Sequence, residues 1–189
     1  MPLPHFTNLT SHGSQDMPDE IVYKNLYEVT IILPKAIQSV HPNATALLLE
    51  NTLSIKFPTY PTIEAQEQRF KYSTRRYLKM PTSTSCEVGI TFNMNQNDKY
   101  QVSTFRIMKD WYDLVWNNED GSLHYKRNII GDIVIHGHDK EGHVIRRVTY
   151  HNCQINTITG WEELSWDSPD MVGPLNAGFV CDYWEDYYY

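Results

Sequence analysis

The sequence predicts a mostly β domain in which two antiparallel sheets pack as a sandwich or barrel, flanked by one α-helix. Three observations predict this class: about seven or eight short strand-like segments, turn-forming residues between them, and a single amphipathic helical stretch after the middle of the chain. The strands do not alternate with helices, which argues against a parallel α/β sheet. A length of 189 residues fits one domain.

The chain before residue 60 is predicted to hold an arm, a strand, a loop and a hairpin. Pro34 ends the strand, because proline donates no hydrogen bond to a ladder. Asn51-Thr52 is a compact turn signal between two strand-like runs, 45–50 and 53–57. The predicted arm, strand, loop and hairpin cover residues 1–22, 23–33, 34–44 and 45–57.

Residues 58–73 form a polar excursion without an apolar period. About fifteen residues without a core-facing side is long for a compact domain, and such loops are often functional or ordered by a partner. A basic strand is predicted next, over 72–80. The strand after it, 86–94, places Val88, Ile90 and Phe92 on one face by clean alternation.

One helix is predicted over 102–117. Apolar and aromatic side chains recur there at spacings of three and four, which places them on one helical face. They are Phe105, Met108, Trp111, Tyr112 and Val115. We expect this face to cover one end of the β core and not to line a cofactor pocket.

The last third of the chain is predicted to hold a hairpin, an acidic turn segment and a terminal strand. The hairpin strands, 128–136 and 144–155, flank a turn rich in glycine and aspartate. The acidic segment covers 162–170, and period-two alternation over 177–184 predicts a half-buried strand.

Charge is unevenly distributed along the chain, whose net charge is −7. Residues 61–110 carry eight Lys/Arg and five Asp/Glu, whereas residues 111–189 carry five Lys/Arg and thirteen Asp/Glu. An acidic C-terminal half argues against a protein that reads DNA sequence, since such proteins need a basic face. The acidic residues either form a solvated surface or meet basic residues of another copy.

No residue pattern predicts catalysis or a cofactor. The best metal candidate is the histidine turn, His136-Gly137-His138-Asp139 with His143 and His151, but it has no second ligand pair at a defined spacing. The sequence has no nucleophile elbow, phosphate-binding glycine loop or Cys-x-x-Cys pair. We therefore predict that the protein is not an enzyme and holds no metal or cofactor.

The three cysteines, Cys86, Cys153 and Cys181, lie far apart in strand-like runs. This pattern favours buried thiols in a reducing compartment over a disulfide framework. No stretch reaches the roughly 18 to 20 consecutive apolar residues of a membrane span. The N-terminus lacks the charged start and apolar core of a signal peptide, so we expect no membrane anchor and no export by that route.

Five short motifs occur in an order and spacing that resemble the tail tube proteins of contractile-tailed bacteriophages. Each motif alone is weak, and the specificity comes from their order. They are Asn25-Leu26-Tyr27-Glu28-Val29, Asp110-Trp111, Tyr125-Lys126, Trp166-Asp167-Ser168 and Asp182-Tyr183-Trp184-Glu185. The resemblance covers residues 23–185 as one tail tube domain, with an arm at 1–22 and a short aromatic tail at 186–189.

The resemblance implies an assembly and a location. The subunits are expected to form homohexameric rings that stack into a hollow tube within the virion tail, assembled in the host cytoplasm. Genomic DNA is expected to pass through the lumen without specific binding, which an acidic lumen favours by repelling phosphates. The implied partners are the tail sheath, baseplate hub, tape measure and tail terminator proteins.

The resemblance also implies where subunits meet, because the matching segment of the family reaches a neighbouring ring. We predict contacts through the polar excursion and the basic strand, with acidic residues of the next ring as their partners. The predicted interface residues are Tyr60, Arg69, Arg75, Arg76, Lys79, Glu162, Glu163 and Asp167.

Three alternatives remain open at this stage. Within the same class, the chain is a tube-initiating ring at the baseplate or the tube of a phage-derived injection device. A β-sandwich carbohydrate-binding module would also use many Tyr and Trp residues, but it would stay monomeric and retain a glycan. A hydrolase that uses the histidine turn would contain bound metal.

Overall fold

The computed structural model describes residues 26–61, 63–79, 86–94, 96–97, 102–160 and 173–189. It confirms a mostly β, antiparallel fold with few helices. The strands are β1 (Tyr27–Ile32), β2 (Thr52–Ile55), β3 (Ala65–Phe70), β4 (Ser73–Leu78), β5 (Glu87–Phe92), β6 (Gln96–Asn97), β7 (Val102–Ser103), β8 (Gly131–His138), β9 (Val144–Thr159), β10 (Leu175–Val180) and β11 (Tyr183–Tyr188). The helices are α1 (Lys35–Val40), α2 (Ala44–Asn51), α3 (Thr104–Val115) and α4 (Lys126–Ile129).

The long strand β9 joins the two halves of the main sheet. Its first half pairs with β8 and β11, and its second half pairs with β10. The ladder therefore runs β1-β8-β9-β10-β5-β2, with every pairing antiparallel. Asn152 lies between the halves and is the one described non-glycine residue with a positive φ, 54°. Asparagine tolerates this left-handed backbone better than most residues.

Both halves of the sheet contribute side chains to one buried core. The predicted alternation in β5 is confirmed, since Val88, Ile90 and Phe92 are all buried. In the other half, Val29 and Ile31 of β1 are buried by the same period of two. The two halves therefore pack face to face, as the predicted sandwich requires.

Helix α3 confirms the predicted amphipathic helix. It begins after Ser103, whose hydroxyl oxygen accepts a hydrogen bond from the Arg106 backbone N–H at 3.2 Å. Its buried face carries Ile107, Met108 and Trp111. Trp111 donates its indole N–H to the carbonyl of Ile129 at 2.9 Å, which fixes the helix against the chain segment before β8.

Residues 34–57 are largely helical, so the predicted loop and hairpin there are wrong. Helices α1 and α2 occupy most of this region, and only β2 remains of the expected strands. Ala44, Leu47 and Leu48 are buried at spacings of three and four, which is a helical face. A short apolar run such as Ala46–Leu49 fits a strand or a buried helix equally well, because so few residues do not define a period.

The strand predicted to begin near Tyr125-Lys126 and Asn128 begins later, at Gly131. One helical turn, α4, precedes it. Gly131 lies directly beside β1 and Trp111, because a Cβ at this position would be 2.4 Å from the Ile32 carbonyl oxygen. The rest of the predicted hairpin is confirmed, since β8 pairs with β9.

The terminal run, predicted as one strand over 177–184, is divided into β10 and β11, which both pair with β9. Cys181 and Asp182 lie between them, and β11 continues to Tyr188. The three cysteines are buried, as expected. The predictions for the arm at 1–22 and the acidic segment at 162–170 lie outside the described residues. In the part of the chain that the structure describes, no helix has the length and apolarity needed to cross a membrane.

Candidate assembly surface

Strands β3 and β4 form a two-stranded hairpin that stands apart from the core. Their register runs from Ala65 opposite Leu78 to Phe70 opposite Ser73, and the Lys79 N–H extends the ladder by donating to the Glu64 carbonyl at 2.7 Å. The predicted basic strand is therefore confirmed as β4. The excursion before it is not irregular throughout, because its last part supplies β3.

Every residue of β3 and β4 is exposed. Large apolar side chains are exposed on the strands and in the turn between them. Tyr72, in the turn, is 89% exposed, Leu78 is 75% exposed, and Phe70 and Tyr77 are also open to solvent. An isolated two-stranded hairpin is marginally stable in water. Exposed apolar clusters of this kind mark contact sites for another molecule.

The hairpin is also the most basic part of the described chain. Residues 64–79 carry five Lys/Arg and two Asp/Glu, a net charge of +3 in a chain of net charge −7. On one face, Arg76 pairs with Glu67 at 2.9 Å. On the other, the Arg75 guanidinium lies 5.5 Å from the centre of the Phe70 ring. Because these groups are exposed, their charge contributes little to folding and is available to a partner.

The base of the hairpin is bound to the C-terminal strand. Tyr60 donates its hydroxyl hydrogen to Asp186 Oδ2 at 2.5 Å, and its ring meets Trp184 edge-on with centroids 4.9 Å apart. Arg146 donates two hydrogen bonds to the same carboxylate, from Nε at 3.0 Å and from Nη2 at 2.7 Å. The Arg146 hydrogen bonds lower the pKa of Asp186, and the bond to Asp186 raises the pKa of the Tyr60 hydroxyl.

The structure brings most of the predicted interface residues together. Arg69, Arg75 and Arg76 lie on the two strands, Lys79 closes the ladder, and Tyr60 lies at the base. Glu162, Glu163 and Asp167 lie outside the described residues. The sequence reasoning missed Arg146 and Asp186, because the contact between Tyr60 and Asp186 spans 126 positions and leaves no local pattern.

One edge of the main sheet lies open beside helix α3. Strand β8 pairs with β9 only as far as Cys153, so no described strand pairs with the outer side of residues 154–159. A groove of about 490 Å³ follows this edge, with Phe105 and Tyr112 of α3 as its opposite wall. An open edge with unpaired backbone groups is a template for a strand of another chain.

The histidine side chains of the histidine turn contact different partners and do not converge on one point. His138 lies 3.6 Å from the Glu28 carboxylate, and His143 lies 3.2 Å from Asp139. His151 stacks on Tyr183 with ring centroids 4.6 Å apart. Across the described ranges, no three His, Cys, Asp or Glu side chains come together in a way that could hold a metal ion.

No protein-family model and no curated protein sequence matches this chain. Solved structures of similar fold do exist. The anti-feeding prophage cap, which terminates the tube, matches with a TM-score of 0.56 and 11% identity over 95% of this chain and 99% of that one. The sheath–tube complex of PVC, an extracellular contractile injection system, in its extended state matches with a TM-score of 0.54 and 10% identity over 98% and 99%.

A third match is the sixfold-symmetrised anti-feeding prophage baseplate, with a TM-score of 0.50 and 8% identity over 91% of this chain and 97% of that one. These likenesses extend over nearly the whole length of both chains, so they concern the complete domain. This chain therefore has the fold found in tube-terminating cap, sheath–tube and baseplate assemblies, the tail tube type of fold that the sequence resemblance predicted.

Proposed function

We propose that this chain is a structural, non-enzymatic subunit of a contractile tail, which self-assembles as hexameric rings stacked into a hollow tube. The observation that carries the proposal is the β3–β4 hairpin, which is wholly exposed, positively charged and rich in exposed apolar side chains. The described part of the domain leaves this hairpin uncovered, which favours its burial by a second molecule. In a tube of identical rings, that molecule is another copy.

The strand directions support ring closure. Strands β9, β10, β5 and β2 are consecutive and antiparallel. Because their number is even, the two outer strands run in opposite directions. Copies related by rotation about a ring axis therefore meet edge to edge as an antiparallel pair, β2 of one beside the open edge of β9 in the next. Closing such a barrel removes the free edges that otherwise promote aggregation.

Charge supports contact between stacked rings. The hairpin has a net charge of +3, which leaves a net charge of −10 on the remainder of each subunit. In our proposal the hairpin of one ring lies against the acidic surface of the next, with Glu162, Glu163 and Asp167 as the candidate partners of Arg75 and Arg76. One exposed ion pair contributes only about 0 to 1 kcal/mol. The same contact recurs in every subunit of every ring, so the contributions accumulate along the tube.

The finished tube would be a conduit inside a contractile sheath. Its proposed partners are the sheath, baseplate hub, tape measure and tail terminator proteins, with genomic DNA passing through the lumen unbound. Its proposed location is the tail of a virion, after assembly in the host cytoplasm. A phage-derived injection device would use the same subunit in the same way, without DNA as the necessary cargo.

A terminal ring is the second candidate, because the matched structures include a tube-terminating cap and a baseplate. A tube subunit adds repeatedly to its own rings, whereas an initiating or capping ring is incorporated once per particle. The ratio of this protein to sheath protein in purified particles separates the two. A ratio near one favours the tube subunit, and a ratio of a few per cent favours the terminal ring.

The proposal is tested by sedimentation velocity over a concentration series, with and without purified baseplates as seeds. We expect monomers at low concentration and ring-sized or larger species as the concentration rises. Protein that sediments as a monomer throughout, even with seeds present, contradicts the proposal.

A further inference from the structure

We infer that Tyr60, Asp186 and Arg146 form a latch that fixes the direction in which the β3–β4 hairpin leaves the domain. The latch is a feature within one chain. Its consequence for assembly rests on the function proposed above, so the two are tested separately below.

The hairpin needs such a latch because little else positions it. Its strands pack substantially only on each other among the described residues. The segment from Lys56 to Glu64 that joins it to β2 belongs to neither a helix nor a strand, apart from Thr62, which is outside the described residues. A hairpin on an irregular connection can point in many directions. Its direction is therefore set by whatever holds that connection.

The connection is held at successive points along its length. The Lys56 carbonyl accepts a hydrogen bond from the Tyr150 hydroxyl at 3.5 Å. The Phe57 ring lies under the Arg146 guanidinium, 4.4 Å away, and the Tyr188 ring lies 5.1 Å from the same guanidinium. Among the described residues of the connection, Tyr60 is the last one with a side-chain hydrogen bond to the body of the domain, which it donates to Asp186, and its ring also packs on Trp184.

Asp186 is the centre of the latch. Its side chain is only 4% exposed, although it is charged. A carboxylate in such a place needs donors, and three converge on it, two from Arg146 and one from Tyr60. Both Asp186 and Arg146 lie on paired strands, β11 and β9, so the anchor is rigid. Strand β11 therefore binds the segment that leads into the hairpin and sets the direction of the hairpin.

Two variants test the latch. Tyr60→Phe keeps the ring on Trp184 and removes only the hydrogen bond. Asp186→Asn removes the charge at a side chain that is only 4% exposed, so an effect on assembly would not come from a lost contact between copies. Tyr187→Phe is the matched control on the same strand, since its hydroxyl donates to Glu185 of that strand, at 3.1 Å, and not to Asp186. Glu141→Gln is the second control, in the exposed turn between β8 and β9.

The first measurement is made on monomers. Spin labels at Tyr72→Cys and Glu119→Cys report the distance from the hairpin tip to the body of the domain. Protein that lacks these two introduced cysteines is the labelling control, because it shows whether the buried native thiols take up label. We expect one narrow distance distribution for the parent and both controls. In the Tyr60→Phe and Asp186→Asn variants, the distance distribution should be at least twice as wide as in the parent. Unchanged widths in both variants overturn the latch.

The second measurement is the rate of tube growth from seeds, with unlabelled protein. We expect Tyr60→Phe and Asp186→Asn to slow growth at least tenfold, with the controls unchanged. Broadened distances with normal growth would overturn the role in assembly. If the parent protein itself forms no tubes, the proposed function fails, and the distance measurement still decides whether the latch exists.

Discussion

At the scale of single residues, Trp111 is where helix α3 is fixed to the sheet. Its ring lies 5.2 Å from Phe179 and its indole N–H is bonded to the Ile129 carbonyl. Trp111→Phe leaves that carbonyl without its donor and opens a small cavity, so we expect a loss of about 2 to 4 kcal/mol in the free energy of unfolding. Urea denaturation measures it.

Trp116→Phe is the control for this substitution, because Trp116 is 36% exposed and its indole N–H donates to the side chain of the nearby Asn118. We expect Trp116→Phe to lower the free energy of unfolding by less than about 1 kcal/mol. Equal losses for the two variants would contradict the central place given to Trp111.

The cysteines give a second residue-scale prediction. Burial raises the pKa of the Cys86 thiol to about 12, so the folded protein holds it neutral at pH 8. The native protein should react with no thiol reagent over minutes and should show all three thiols after denaturation. Because the folded pKa lies above the unfolded value of about 8.5, this group's contribution to stability is complete below pH 8.5 and decreases as the pH rises toward 12. Rapid labelling of native protein at pH 8 would refute the burial.

At the scale of elements, the hairpin carries the strongest prediction. Arg75→Glu with Arg76→Glu replaces two exposed side chains, so the monomer should stay folded, with a thermal midpoint within a few degrees of the parent. The charge change should block tube growth, and salt should weaken growth of the parent by screening. Seeded growth followed by light scattering measures both effects.

The matched control for that reversal is Lys35→Glu with Arg127→Glu, an equal change in charge at two exposed residues away from the hairpin. It should leave growth close to the parent rate. Normal tube lengths from the Arg75/Arg76 variant, or an equal loss from the control, would contradict the assignment of the hairpin as the stacking contact.

The elements also separate what the sequence can predict from what it cannot. β5 and α3 were predictable because each has one buried face and enough residues to define a period. Helix α2 was not, since its apolar run is too short to distinguish a helix from a strand. Strand β3 was not predictable, because none of its residues is buried and the sequence therefore shows no alternation of apolar and polar residues. The latch was not predictable, because its residues come together only when β11 pairs with β9.

At the scale of the whole molecule, two features point toward assembly. The half of the main sheet made of β9, β10, β5 and β2 has outer strands of opposite direction, and no described strand pairs with the outer side of β9 beside α3. The hairpin extends a basic, apolar surface beyond the core. In the part of the chain that the structure describes, a strand edge and a hairpin held only at its base are both exposed, and natural proteins usually cover such features. In the proposed assembly, rings would cover the strand edge and stacking would cover the hairpin.

Electron microscopy of the purified protein, with and without baseplate seeds, tests this account most directly. We expect hollow tubes of stacked rings in side view and sixfold rings in end view, growing longer when seeds are added. Separate, monomer-sized particles at high protein concentration, with no rings on the seeds, would contradict it.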